Sequence, residues 1–404
     1  MKYKLEGREA RLWREGRGFV NFAITARIKG VITLPRLEEA LRKISQKHPK
    51  IPLRIILDHE QTWWLTSEGD PTFPIRVVER KTDADWVHAL ETDYDHLFPP
   101  NGPLIRFILV LGPDRSELIV ICHHAFYDGL SGAYLLHDIV AYLGDPDQSV
   151  IPLPLLPLMS ALIPEAVVKA ISDQRAVIQP TVDGPVSDAS PEFKPFTPEE
   201  RQIRVLHWSL SIAHTERLIQ RCREEQTSVH SAIGVALMMT FAQLKIGHGS
   251  TLRRVSSPVS LRSRLTTDVG QGMGNFINSG IICEVDCPPG RDFWDAAREF
   301  KTTLRNKATD TVLFSPPGGS RPSYDFSLTN LGLLDFQPVY GNYQLEALFG
   351  PGVVGPEREI GIGVLTLNGQ MQFTVMWRQG LLPMATVDQL IQKMQSLLQD
   401  VIQK

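Results

Sequence analysis

The sequence has few cysteines, no excess of either charge and no long apolar run. Its four cysteines, Cys122, Cys222, Cys283 and Cys287, are scattered over 404 residues. Cys283 and Cys287 enclose three residues, so the C-x-x-C spacing of a zinc or redox pair is missing. The four thiols read as free, in a reducing compartment. The formal net charge is -3, which gives no bulk electrostatic footprint for nucleic acid. No stretch reaches the ~20 apolar residues that cross a bilayer. The longest candidate, Ile151–Ile163, is short and carries three prolines. The first residues, MKYKLEGREARLWREGRG, lack the apolar core of a secretory signal. The expectation is a cytoplasmic monomer with no membrane span and no nucleic-acid partner.

What is present fits a soluble globular chain. Apolar residues make up 43% and charged residues 22%, and the length suits two cores better than one. The pattern predicts two α/β halves, residues 1–150 and 202–404, joined by a proline-rich connector over 151–201. In the first half, a β-rich run from Phe19 to Gly30 precedes a helical spacing over Leu34–Lys47. Short strands follow at Leu53–Leu57, Thr62–Leu65 and Ile75–Val78, then a helix over Asp83–Asp95. Leu104–Leu111 and Glu117–His123 read as a hairpin, and Ser131–Leu143 as an apolar-periodic helix. In the connector only Leu162–Ala176 has helical character. The second half predicts strands at Ile203–Leu210, Arg253–Ser260, Phe276–Val285, Tyr324–Asn330, Ile360–Leu367 and Gln370–Trp377. Its helices fall at His214–Glu225, Ser228–Leu244, Asp292–Lys307 and Val387–Gln403. Strict βαβ alternation is missing from both halves, so each is expected to hold a mixed sheet.

The chemistry concentrates at His123-His124-Ala125-Phe126-Tyr127-Asp128-Gly129. A buried strand ends in two histidines, a tight turn follows, and a helix begins. Strand alternation sends the two imidazoles to opposite faces, so one of them can meet a given substrate. Gly129 supplies the backbone freedom such a turn needs. Two other readings compete. His124 and Asp128, with His137 and Asp138 on the next helix, could hold a metal, although a glycine turn breaks helical ligand spacing. Gly129-Leu130-Ser131-Gly132-Ala133 comes close to G-x-S-x-G, but Ser131 lies too far from the strand end for a nucleophile elbow and reads as a helix N-cap.

His123-His124-x-x-x-Asp128-Gly129 resembles the signature of the chloramphenicol acetyltransferase-like acyltransferases, which include condensation domains and polyketide-associated acyltransferases. Softer likenesses run along nearly the whole chain. They include Leu97–Arg106 before the motif strand, Ser257-Pro258-Val259-Ser260-Leu261-Arg262, Gly274-Asn275-Phe276-Ile277-Asn278, and Ser327-Leu328-Thr329-Asn330-Leu331-Gly332. The resemblance implies two lobes, each a mixed sheet with helices, in a V-shaped pseudo-dimer with a tunnel between them. It makes His124 the catalytic base and Asp128 and Gly129 structural, and it brings Arg262 close to the motif turn. Asp128 is then expected to pair with Arg262, with Arg264 as the rival partner. Ser327, Thr329 and Asn330 are candidate oxyanion or tunnel residues, each equally readable as ordinary strand chemistry.

The function implied is acyl transfer from a coenzyme A or carrier-protein thioester to a hydroxyl acceptor. No cofactor is permanently bound; acyl-coenzyme A or a phosphopantetheinyl-linked acyl group is the donor substrate, and an acyl carrier protein is the candidate partner. An amide-forming condensation enzyme acting on an amine, or a non-catalytic carrier-protein-binding relative, are the alternatives. No adenylation or carrier domain is evident in 404 residues, which favours a free-standing enzyme. The Asp-Phe-Gly-Trp-Gly run of the plant branch is absent. The apolar segment Ile151–Ile163 is expected either to line a tunnel mouth for a lipid-like chain or to strap the lobes and fill core.

Overall fold

The structure is a computed structural model that describes residues 2–16, 21–67, 72–177, 196–246, 250–315, 323–355 and 360–403. The chain begins with β1 (Lys2–Lys4), α1 (Gly7–Gly16), β2 (Asn21–Lys29) and α2 (Leu34–Lys47). It continues through β3 (Arg54–Leu57), β4 (Trp63–Thr66), β5 (Ile75–Glu79) and α3 (Asp85–Asp93). The motif hairpin is β6 (Ile105–Leu111) and β7 (Arg115–His123), followed by α4 (Gly129–Gly144). In the connector a 3-10 turn at Met159–Leu162 precedes α5 (Glu165–Val177). Then come β8 (Ile203–Ser209), α6 (Ile212–Glu224), α7 (Val229–Gln243), β9 (Leu252–Ser257), β10 (Ile281–Asp286), α8 (Phe293–Lys307) and α9 (Asp310–Phe314). The last elements are β11 (Phe326–Leu334), β12 (Val339–Tyr340), β13 (Tyr343–Val353), β14 (Gly361–Leu367), β15 (Gln370–Arg378) and α10 (Met384–Gln403).

These elements make two six-stranded mixed sheets. The first has the order β12-β13-β2-β7-β6-β5 and the second β10-β9-β11-β14-β15-β8; β1, β4 and β3 form a small third sheet. In the first sheet β5 and β6 run parallel while β2, β6, β7 and β13 pair antiparallel. In the second, β11 is parallel to both β9 and β14. The expected α/β class with two mixed-sheet lobes is what the chain forms. Two buried cores form, and the one under the first sheet also takes in Ile203, Val205, Leu365, Leu367 and Met376 from strands of the second. Strand β7 is buried from Ser116 to His123, so it reads as a continuous apolar run rather than an alternating one. Helix α7 is apolar around most of its circumference and is capped by Ser228, whose side chain accepts from Ser231 N. Asp292 caps α8 in the same way, through Asp295 N.

Several expectations need correction. Residues 339–353 fall within the second half by sequence, yet β12 and β13 join the first sheet, with β13 antiparallel to β2. No strand was expected there, and Gly350-Pro351-Gly352 is an uncommon triplet for a strand interior. In the fold that triplet is an irregularity in the ladder between Phe349 and Gly352. Gly350 takes φ +125, and a Cβ there would lie 2.7 Å from Ala23 O, so glycine is required. Its N–H turns away from β2 and donates to Thr374 Oγ1 of β15 at 2.8 Å. The strand expected over Phe276–Val285 starts only at Ile281, and the one over Arg253–Ser260 stops at Ser257. Helix α1 was not anticipated. The start of the first β-rich run, residues 19–20, and connector residues 178–195 lie outside the described residues.

The connector straps both lobes. Leu153 N donates to Lys47 O at 2.8 Å, and Thr266 N donates to Leu162 O at 2.9 Å. Leu156, Met159 and Leu162 are buried in the second core, which fits the strap reading. Among the described residues no helix is long and apolar enough to cross a membrane. Leu156 presses against Gly272, beside the segment that reaches the motif. Leu156→Ala is therefore expected to lower folding stability by about 2–5 kcal/mol, read as a shift of the urea midpoint. An unchanged midpoint would show that the strap contributes no core.

Candidate active site

The motif turn is built from backbone bonds before side chains enter. β7 ends where His123 faces Asn21 of β2. Phe126 N donates to His123 O at 3.1 Å, closing the turn, and Gly132 N donates to Asp128 O at 3.1 Å, opening α4. The two histidines then take different environments, as strand alternation requires.

His123 is fully buried. Its Nδ1 accepts from Ala125 N at 3.2 Å, which places the ring proton on Nε2. That atom has no partner among the described residues; the rings of Trp13, Phe98 and Phe126 lie 5.1, 5.9 and 5.7 Å from the imidazole. Burial, then the neighbouring His124, holds its pKa down to about 3. It stays neutral and serves the packing.

His124 is partly exposed. Its Nδ1–H donates to Tyr127 O at 2.9 Å, which fixes the tautomer and leaves the Nε2 lone pair as a base. Phe22 backs the ring at 5.0 Å. Burial lowers the His124 pKa, the Tyr127 carbonyl opposes this, and the positive charge of Arg8 lowers it further.

Asp128 does not reach the imidazole. It is the N-cap of α4, accepting from Ser131 N and Ser131 Oγ at 2.8 Å each. Ser131, expected as the cap, instead sits in the first turn and donates to the residue that caps. Arg262 Nη2 lies 2.9 and 3.2 Å from the two oxygens of Asp128, and Phe276 N donates to Oδ2 at 3.0 Å. The Arg262 guanidinium also donates to Gly270 O, Gly272 O and Ser131 Oγ, and it stacks 4.9 Å from the Phe276 ring. Arg264 points elsewhere, to Asp310, because strand β9 has ended and Arg262–Arg264 form a 3-10 turn. Gly129 matters for space and not for a special backbone angle: a Cβ there would come within 3.1 Å of Leu331 and Pro351.

The segment after Arg262 closes the motif from the other lobe. Gly274 O accepts from Asp128 N at 3.0 Å and from Ser131 Oγ at 2.9 Å, and Asn275 Nδ2 donates to His124 O. Ser327, Thr329 and Asn330 lie on the central strand β11, paired with Gly361, Gly363 and Val364 of β14. Asn330 Oδ1 accepts from Gly332 N at 2.8 Å, which leaves its NH₂ as the donating end. Among the described residues none of the three hydrogen-bonds to His124. His137 and Asp138 belong to a different cluster, where Asp138 meets His48 at 2.6 Å and Lys47 at 2.7 Å. Among the described residues no group of three or more His, Cys, Asp or Glu is placed to hold a metal.

Sequence reasoning missed Arg8, Glu9, Lys50 and Asn275. Arg8 reaches from α1 to Ile277 O and to Met159 Sδ. Glu9 Oε1 accepts from Met159 N at 3.1 Å, and Lys50 Nζ donates to Pro157 O at 3.0 Å. The available signal was the amphipathic spacing of α1, masked by its five charged residues among ten.

Comparison with known proteins fits this geometry. The C-terminal part of the phthiocerol/phthiodiolone dimycocerosyl transferase family matches residues 199–316. The dimycocerosyl transferase of Mycobacterium bovis is 23% identical over 307 residues, 72% of this chain and 70% of that protein. Nonribosomal peptide synthetase 5 of Gibberella zeae is 25% identical over 137 residues, 33% of this chain; the chain spans only 1% of that synthetase. In structure, the epimerization domain of the third module of tyrocidine synthetase B is similar over 100% of this chain and 97% of its own, with TM-score 0.73 and 16% identity. Polyketide synthase associated protein 5 from Mycobacterium tuberculosis is similar over 99% and 98%, with TM-score 0.70 and 17% identity. The chain has the two-lobed fold of these structures, and its His-His-x-x-x-Asp-Gly motif resembles the signature of the chloramphenicol acetyltransferase-like acyltransferases. These structural likenesses speak for the fold; the chemistry of this chain rests on its own residues.

The Asp128–Arg262 pair is the feature of the site most open to test. Arg262 without Asp128 is a buried charge with no counter-ion. Asp128→Asn is expected to cost about 3–5 kcal/mol, read by chemical denaturation. The double variant Asp128→Asn/Arg262→Met is expected to recover part of that loss, since the orphaned charge is gone. A double variant less stable than the sum of the singles would refute the pairing.

Proposed function

We propose that the chain transfers an acyl group from a thioester to a hydroxyl acceptor, with His124 as general base. The observation that carries this is the imidazole itself, locked by Tyr127 O through Nδ1 and basic at Nε2. A thioester is already activated, so the enzyme needs no nucleophile of its own. In the step, Nε2 removes the acceptor proton while the acceptor oxygen bonds to the thioester carbonyl carbon. The tetrahedral intermediate collapses with cleavage of the C–S bond. The imidazolium returns its proton to the departing thiolate, giving ester, thiol and neutral His124. Proton handling of this kind contributes roughly 10²–10⁴-fold. The rest comes from holding two substrates in line and from donors at the developing oxyanion; the Asn330 amide is the candidate with its donating end defined.

The donor is acyl-coenzyme A or an acyl group on a carrier protein, as substrate and not as resident cofactor. Asp128 is held by Arg262, Ser131 and Phe276 and makes no hydrogen bond to the imidazole among the described residues; its charge raises the His124 pKa, but burial, the larger effect, lowers it. The mycobacterial relatives, named as dimycocerosyl transferases, support acyl transfer. The synthetase relatives favour an amine acceptor as the second reading, served by the same base.

The test pairs acyl-coenzyme A and acyl-pantetheine donors with panels of alcohols and amines, read by mass spectrometry. His124→Ala is expected to stay folded and lose at least about 10²-fold in kcat. A variant keeping more than a tenth of the wild-type rate would end the general-base reading. His123→Ala is expected to lower the melting temperature while the folded fraction keeps its kcat.

The pH dependence has a defined sign. Burial and Arg8 lower the His124 pKa, and a base works only when unprotonated. The acid limb of kcat/KM is therefore expected below the ordinary imidazole value of about 6.5. A limb at or above that value would assign the base elsewhere.

A further inference from the structure

Arg8 stands apart from the other arginines of the interior. Arg253, Arg262 and Arg378 each meet a carboxylate, that of Asp325, Asp128 and Asp95 respectively. Arg106 has two carbonyls and the face of Phe98. Arg8 forms no ion pair among the described residues; its Nη1 donates to Ile277 O and lies 3.7 Å from Met159 Sδ. Its Nε is buried without a hydrogen-bond partner, and its Nη2 makes no hydrogen bond among the described residues. Burial lowers the guanidinium pKa to about 10, which still leaves it charged at neutral pH.

The open donors share one edge. The Nε–H of a guanidinium and the nearer Nη2–H point the same way, at the spacing of the two oxygens of a carboxylate. A hydroxyl or a lone carbonyl takes one of these donors and leaves the other unmet; a planar two-oxygen anion takes both and supplies the counter-charge. Arg8 is also anchored next to the chemistry. Ile277, whose carbonyl holds Nη1, lies two residues after Asn275, which donates to His124 O, and one after Phe276, whose N–H donates to Asp128. After burial, the Arg8 charge is what lowers the His124 pKa. Asp128 does not serve as counter-ion, since Arg262 holds both its oxygens. Glu9 spends Oε1 on Met159 N and forms no ion pair with Arg8 among the described residues. The phosphates of a coenzyme A donor sit a full pantetheine arm from the thioester carbon, whereas Arg8 sits against the segment that touches the base.

We propose that Arg8 is a specificity residue whose Nε and Nη2 edge binds a carboxylate carried by one of the two substrates, a few bonds from the reacting centre. The substrate class is then a hydroxy or amino acid on the acceptor side, or the half-thioester of a dicarboxylic acid on the donor side. This inference rests on the acyl-transfer reading of the site and adds a substrate class to it.

The experiment has two arms. In the first, hydroxy and amino acids of graded chain length are compared with their methyl esters, with acetyl-coenzyme A as donor. In the second, succinyl-coenzyme A is compared with pentanoyl-coenzyme A on a panel of neutral alcohols and amines. Wild type is expected to prefer the carboxylate in one arm by at least about tenfold in kcat/KM, carried by KM, and the arm that shows it assigns the carboxylate to acceptor or donor. Arg8→Lys keeps the charge and loses the two-pronged edge; Arg8→Met loses both. The first is expected to lower the preference several-fold and the second to bring it near one. Ratios are taken at one pH above the acid limb of His124, so a change in the base cancels. A clamp that only held α1 to Ile277 would lower both members of each pair alike and leave the ratio intact. Should Arg8→Met fail to fold, the ratio in Arg8→Lys decides. Titration calorimetry of the same compounds, each without its co-substrate, reads binding separately. If wild type transfers nothing yet binds a carboxylate compound more tightly than its neutral partner, and Arg8→Lys weakens that difference, the acyl-transfer reading fails and the subsite stands. A ratio near one in both arms and in the titrations, or a preference that neither variant lowers, would overturn the proposal.

Discussion

The ion pair between Asp128 and Arg262 joins the two lobes at the point where the chemistry sits. Asp128 caps α4, and Arg262 holds the carbonyls of Gly270 and Gly272 while it binds that cap. Remove the pair and three things loosen together: the start of α4, the path of residues 270–276, and the Asn275 contact to the His124 carbonyl. Arg262 is 11% and Asp128 1% exposed at the side chain, so solvent cannot take over either role. The fork of guanidinium donors suits this position, because one cation serves a carboxylate, two carbonyls and an aromatic face at once.

The division of labour between the adjacent histidines follows from the same geometry. Both rings lose basicity through burial, but to different ends. His123, enclosed by three aromatic rings, is held neutral down to about pH 3 and works as packing. His124 is opened to solvent by the turn and keeps one nitrogen committed to Tyr127 O. A carboxylate partner for His124 would have raised its pKa and left it partly charged near neutrality. The fold limits this by pairing Asp128 with Arg262, and burial outweighs the upward pull of the Asp128 charge.

Much of this was legible in the sequence, for reasons that can be named. The motif spacing located His124 and Asp128, and alternation along β7 separated the two histidines. Caps and periodicity found α2, α4, α7 and α8 to within a few residues. Legibility failed where tertiary contacts outweigh local pattern. Gly350-Pro351-Gly352 imitates a turn but lies inside β13, because that strand must bend between two sheets. Gly129 looked like a backbone hinge and turned out to be a gap for Leu331 and Pro351. Residues 276–280 were expected to open a strand, yet Phe276 N is used by Asp128 and Ile277 O by Arg8. Glu9 and Lys50 could not be read at all, since a charged residue in a polar helix or between two nearby prolines looks solvated.

The exchanged strand β13 also sets a timetable for synthesis. Strand β2 is made early, and on one side its backbone N–H and C=O groups pair only with β13. At a ribosomal pace of about 5–20 residues per second, that edge waits on the order of tens of seconds for its partner. Until then the nascent first sheet presents an unpaired border to any other extended chain. The first-made lobe is thus completed only near the end of synthesis, and its protection during that interval falls to whatever shields nascent chains in the cell.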